Sequence, residues 1–140
     1  MLKPPEAEVV AVPLESPFKG KTGLVRVLHA FFNSMAGLKD AWTCESAFRQ
    51  EVLLAAIMIP AACFVRVTMV ERAMLIATVL LVIIVELLNS GVEAAIDRIS
   101  FDHHSLSRRA KDIGSAAVFV ALVLCGLVWG MILLPRFMPA

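Results

Sequence analysis

Cysteine is scarce in this chain, and a surplus of charge is missing altogether. The three cysteines, Cys44, Cys63 and Cys125, are odd in number and widely spaced, and two of them lie inside apolar runs. That excludes a disulfide framework and gives no zinc-ligand spacing, so all three are read as core fillers. The formal net charge is +1 and the basic residues are scattered instead of gathered into a patch, which leaves nothing to attract nucleic acid. The first twenty residues hold Pro4, Pro5, Pro13 and Pro17 and no apolar h-region, so no cleavable signal peptide is expected there and residues 1–22 read as a flexible tail. Gly20-Lys21-Thr22 resembles the end of a P-loop, but Glu15 stands where the first glycine is required and no strand precedes it. His103 and His104 are neighbours that point different ways on any helix, which argues against a histidine metal site.

What the chain has in abundance is apolar sequence. Hydrophobic residues make up 59% of its 140 residues and the mean hydropathy is +0.82, well above the roughly 45–50% apolar content of soluble domains. A small, all-α integral membrane protein is expected. The runs place a first span at about 48–66, where Pro60 interrupts a short apolar stretch, a second at about 72–98, and a third at about 112–134, charge-free from Ile113 to Leu134. The third span opens with Gly114, Ser115, Ala116 and Ala117 and carries Gly126 and Gly130 in a G-x-x-x-G, a pattern that lets helices approach closely in a bilayer and favours a packed bundle or oligomer.

Ahead of the spans, Leu24, Leu28, Phe31, Met35 and Leu38 recur at helical spacing, with Trp42 following. This predicts an amphipathic helix over about 24–42 lying in the membrane interface, and residues 23–140 form one membrane-embedded domain. Lys3, Lys19, Lys21, Arg26, Lys39 and Arg49 precede the first span, and Arg98, Arg108, Arg109 and Lys111 lie near the second loop, against Arg66, Arg72 and Arg136 on the opposite side. The positive-inside bias therefore puts the N-terminus and the second loop in the cytoplasm.

The most informative feature is a carboxylate where lipid is expected. Glu86 interrupts the apolar run of the second span, and Asn89, Glu93 and Asp97 follow it at i+3, i+7 and i+11. On a helix these four fall within roughly 80° of one another along about 16 Å of axis, one polar stripe. An ionisable group inside a span costs about 2.5–3.5 kcal/mol on insertion scales and marks a functional site by default. Glu45, Arg49, Gln50 and Glu51 lie just before the first span, on the same cytoplasmic side as the lower stripe. Glu45 and Glu93, if close, could hold Mg²⁺, which takes one or two carboxylates and leaves other positions to water and phosphate. Glu86, set deeper, could take a proton from a lipid hydroxyl, while Lys111 and Asp112 would add a phosphate-pairing cation and a further carboxylate. The same residues could equally form a proton or ion pathway, or act as interhelical hydrogen-bond glue in a passive assembly module.

Three segments in register carry a family resemblance: Glu86-Leu87-Leu88-Asn89-Ser90 continuing through Glu93-Ala94 to Asp97-Arg98-Ile99; Ala47-Phe48-Arg49-Gln50-Glu51; and Arg109-Ala110-Lys111-Asp112 with Gly114-Ser115-Ala116-Ala117. From about Leu24 onward the chain resembles the small bacterial diacylglycerol kinases. The resemblance implies a homotrimeric enzyme of the bacterial cytoplasmic membrane that moves the γ-phosphoryl of MgATP to diacylglycerol, making phosphatidic acid. It implies Glu86 as general base, Glu45 and Glu93 as ligands of the ATP-bound metal, and Asn89, Lys111 and Asp112 as further active-site residues. Arg26, Asp102 and His104 align with nucleotide contacts, whereas Ser34, Ala47, Phe48, Arg49, Gln50, Glu51 and Ser115 align with parts of the nucleotide or lipid site. Cys44 stands where better-known members carry Asn, and Asp102-His103-His104 replaces their Glu-Tyr-His. A related branch phosphorylates undecaprenol; the Ala-Phe-Arg-Gln-Glu and Gly-Ser-Ala-Ala segments look more like the diacylglycerol branch.

Overall fold

A computed structural model describes residues 23–99 and 105–137. It consists of four helices in chain order, α1 (Leu24–Cys44), α2 (Ser46–Phe64), α3 (Met69–Ile99) and α4 (Ser105–Phe137). The chain forms two compact units, Met1–Ala36 and Gly37–Ala140. In the first, Gly23 adopts φ 71, the left-handed conformation that glycine reaches without steric cost, and its carbonyl receives the N–H groups of Arg26 and Val27 at the start of α1. Leu24, Leu28, Phe31 and Met35, the apolar stripe expected from the sequence, are exposed along this unit.

In the second unit α2, α3 and α4 are each long and apolar enough to cross a membrane. At 31 residues, α3 extends over about 46 Å, longer than a hydrocarbon core of about 30 Å. It packs against both α2 and α4. The contact is made by one stripe of each helix: Leu75, Val79 and Val82 from α3, Ala121, Cys125, Val128 and Ile132 from α4, and Ala55 and Ala62 from α2. The spacing of three, four and seven residues keeps each set on one face, and alanine at the crossing points lets the backbones come close. Trp129 fastens the seam by donating its indole N–H to the Leu75 carbonyl at 3.1 Å.

One-sided packing corrects the reading of all three cysteines as core fillers. Only Cys125 is buried; Cys44 and Cys63 are exposed, because α2 turns a single face to α3 and Cys63 lies off it. The G-x-x-x-G of α4 does not mediate packing within the chain, since space around Gly126 is open and a β-carbon on Gly130 would meet only Leu134 of its own helix. The face α4 uses is the Ala121–Ile132 stripe instead.

The end of the bundle at the α2–α3 turn is closed by polar groups. Thr68 and Glu71 form a reciprocal capping box, the Thr68 N–H donating to Glu71 Oε2 at 2.8 Å and the Glu71 N–H to Thr68 Oγ1 at 3.3 Å. Arg72 donates to the Ala62 and Val65 carbonyls, which α2 leaves without helical partners at its C-terminus. Arg136 of α4 reaches both carboxylate oxygens of Glu71 at 3.0 Å and donates to the carbonyls of Arg66 and Ile132. Trp129→Phe, which removes one cross-helix donor without removing the ring, should destabilise the folded state by about 0.6–1.5 kcal/mol in reversible unfolding from mixed micelles. An unchanged midpoint would show that the seam holds without it.

Candidate active site

The buried stripe of α3 does not end at Val82. Continuing Leu75, Val79 and Val82 by one more turn brings Glu86 onto the same packed face, where it is only 4% exposed. The apolar seam thus runs into a carboxylate. Glu51 of α2, Glu45 at the N-cap of α2, and Glu93 two turns further along α3 all lie within electrostatic reach of Glu86. The helices thereby gather four carboxylates that the sequence holds in two separate segments.

Asn89 links the group to α4. Its amide Nδ2 donates to Glu93 Oε1 at 3.0 Å, which fixes one of the carboxylates. Its carboxamide comes close to Gly114, where a β-carbon would collide with Oδ1 and stand 3.2 Å from Cγ. A β-carbon at this point would have to displace the Asn89 carboxamide. Three polar atoms in this region are buried without a hydrogen-bond partner: Glu51 Oε2, Asn89 Oδ1 and Ser90 Oγ. Orphaned acceptors beside a carboxylate group are chemistry that a hydroxyl-bearing ligand or a hydrated cation can satisfy.

Towards the α3–α4 connection the stripe pairs with α4. Lys111 Nζ donates to Asp97 Oδ1 at 2.5 Å, and Glu93 also acts on Lys111 electrostatically. Arg108 and Asp112 form an exposed i,i+4 pair at 4.0 Å.

The remaining expected site residues divide clearly. Arg49 donates to the Trp42 and Thr43 carbonyls at 2.9 and 3.2 Å, closing the C-terminus of α1, and Phe48 is buried at 3% exposure. Ala47, Gln50 and Ser115 are exposed. Arg26 and Ser34 belong to the first unit, where Ser34 Oγ donates to the Ala30 carbonyl at 2.9 Å. Asp102 and His104 lie outside the described residues. Two participants went unassigned in the sequence: Ser90, which is off the stripe although adjacent to Asn89, and Asp97, whose place on the stripe was visible but whose partner Lys111 is fourteen residues away on another helix.

Among the described residues no three His, Cys, Asp or Glu side chains converge into a complete metal cage. Glu45 and Glu93 nevertheless supply hard carboxylate oxygens of the number Mg²⁺ takes from protein when phosphates and water fill the rest, so the donor set fits that ion.

Three membrane-capable helices with carboxylates gathered where the buried seam turns polar have the arrangement of a membrane-embedded lipid kinase. The chain belongs to the prokaryotic diacylglycerol kinase family, whose model matches residues 32–133. It is 54% identical over 119 residues to the diacylglycerol kinase of Pseudomonas aeruginosa, covering 85% of this chain and 97% of that one. The diacylglycerol kinase of Haemophilus influenzae is 50% identical over 112 residues, with 80% and 95% covered, and that of Escherichia coli K12 44% over 116, with 83% and 95% covered. Gly114→Ala should push the Asn89 carboxamide off α4 and cut phosphoryl transfer at least about tenfold, while circular dichroism shows unchanged helix content. Full activity in that variant would mean that Asn89 has room to turn aside.

Proposed function

We propose that this lipid kinase transfers the γ-phosphoryl of MgATP to diacylglycerol, yielding phosphatidic acid, with Glu86 as general base. The observation that carries the reading is the burial of Glu86 at 4% exposure on the packed face of α3, with Glu45, Glu51 and Glu93 close enough to act on it. Glu86 and Glu93 are separated by about 10 Å along the helix axis, which sets a membrane-level proton acceptor apart from a shallower metal site.

In this mechanism the diacylglycerol hydroxyl gives its proton to Glu86 as its oxygen attacks the γ-phosphorus and the bond to the ADP oxygen breaks. Glu45 and Glu93 would hold Mg²⁺, which would supply positive charge to the nucleotide phosphates. Lys111 supplies a further cation to the phosphates, Asn89 orients Glu93, and Asp112 lies one residue beyond Lys111 at the same end of α4. Arg26, Ser34, Asp102 and His104 are assigned to the nucleotide, and Ala47, Phe48, Gln50, Glu51 and Ser115 to the lipid side. For Arg49 and Phe48 the helix-closing bonds and the burial favour shaping that side over direct contact. The family match takes in all of these positions except Arg26.

The enzyme works in the bacterial cytoplasmic membrane, with the N-terminus and the α3–α4 connection in the cytoplasm, and it assembles as a homotrimer. The exposed apolar residues of the three spans, among them Leu53, Ile57, Leu80, Ile84, Phe119, Leu127 and Met131, supply surface for lipid and for neighbouring subunits. A proton pathway gains no support towards the opposite membrane face. Between Ala73 and Val85 the span offers Thr78 alone as a polar residue, and its hydroxyl donates to the Leu75 carbonyl at 3.1 Å.

Transfer of labelled γ-phosphate in mixed micelles, offered diacylglycerol and undecaprenol in parallel, tests the reading. Diacylglycerol should be the preferred acceptor, and Glu86→Gln should lower turnover by about 10²–10⁴-fold while leaving equilibrium binding of MgATP intact. Equal loss of binding and turnover would contradict the assignment of Glu86 as base, and preference for undecaprenol would reassign the acceptor.

A further inference from the structure

We infer that Asp97 is a positioning residue that holds Lys111 in place for the nucleotide phosphates before the nucleotide arrives. This rests on the assignment of Lys111 to the phosphates made above and extends it to a residue with no role there. Lys111 stands on α4 and Asp97 on α3, fourteen residues apart in sequence, and Lys111 Nζ donates a charge-assisted hydrogen bond across the two helices to Asp97 Oδ1. Asp97 lies one helical turn beyond Glu93, so the bond brings the ammonium to the end of the stripe that carries the proposed metal ligand, and Glu93 acts on the same ammonium.

The side chains of Lys111 and Asp97 are 37% and 48% exposed. An ion pair this open to water adds little to fold stability, so a structural role explains it poorly. It does something else well. A lysine ammonium sits on a flexible four-carbon stem whose rotamer freedom must be lost when it meets a phosphate, and a fixed partner removes part of that loss in advance. An ammonium has three donors; Asp97 takes one, and the geometry of a tetrahedral nitrogen leaves others to turn towards phosphate.

The test is equilibrium binding of a non-hydrolysable MgATP analogue to the full chain in micelles, with Asp97→Asn, Asp97→Glu, Lys111→Met and the double variant Asp97→Asn/Lys111→Met. Asp97→Asn should weaken binding by about three- to tenfold with its thermal midpoint unchanged, Asp97→Glu should restore it to within about twofold, and in the Lys111→Met background Asp97→Asn should change it by less than about twofold. The KM for diacylglycerol should be unaffected by Asp97→Asn. Equal weakening by Asp97→Asn in both backgrounds, or none in either, would overturn the inference while leaving Lys111 at the phosphates. Unchanged binding in Lys111→Met would remove Lys111 from the phosphates and take the positioning role with it.

Discussion

Everything in this structure is arranged around one costly placement, a carboxylate on the packed face of a membrane helix. Glu86 follows Leu75, Val79 and Val82 in the same stripe, so the contact that holds α3 to its neighbours is also the contact that withdraws the carboxylate from water. Burial of that kind is unfavourable unless partners or function compensate, and no hydrogen-bond donor in the described structure neutralises the cluster of Glu45, Glu51, Glu86 and Glu93 apart from the Asn89 amide on Glu93. Repelling carboxylates kept close together are stable when a cation or a proton is shared among them. The fold is built to hold that tension in one place.

The two ends of the bundle solve opposite problems. At the α2–α3 turn, Thr68, Glu71, Arg72 and Arg136 satisfy one another and the free carbonyls around them. At the other end, polar atoms of Glu51, Asn89 and Ser90 are left unsatisfied, and the charged pair Asp97–Lys111 is half open to water. Hydrogen bonding ties the first end together, and the proposed ligand site lies at the second. Family membership agrees with that polarity, since a lipid kinase must offer one end of its spans to a nucleotide from water and to a lipid hydroxyl from the bilayer.

Helix–helix contact inside the chain uses small residues selectively. Ala55, Ala62 and Ala121 lie in the seam and Gly114 admits Asn89, yet Gly126 faces open space and Gly130 meets only Leu134 of its own helix. A motif for close approach therefore marks a surface able to pack without saying whether its partner is in the same chain. The same limit applies to the cysteines, of which one is buried and two are not.

Much of this was legible in the sequence because membrane physics leaves few choices: long apolar runs must be helices, and four polar residues at i, i+3, i+7 and i+11 must share a face. The motifs in register carried the family as well. Local pattern could not say which face of α3 meets α4, because a lipid-facing and a protein-facing residue are equally apolar. Only packing decided that Glu86 lies within the seam, that the Asn89 carboxamide sits against Gly114, that Arg49 closes α1 instead of standing free, and that Lys111 answers to Asp97. Such pairings depend on side chains from different helices reaching one point, and helical periodicity within a single segment carries no information about its neighbours.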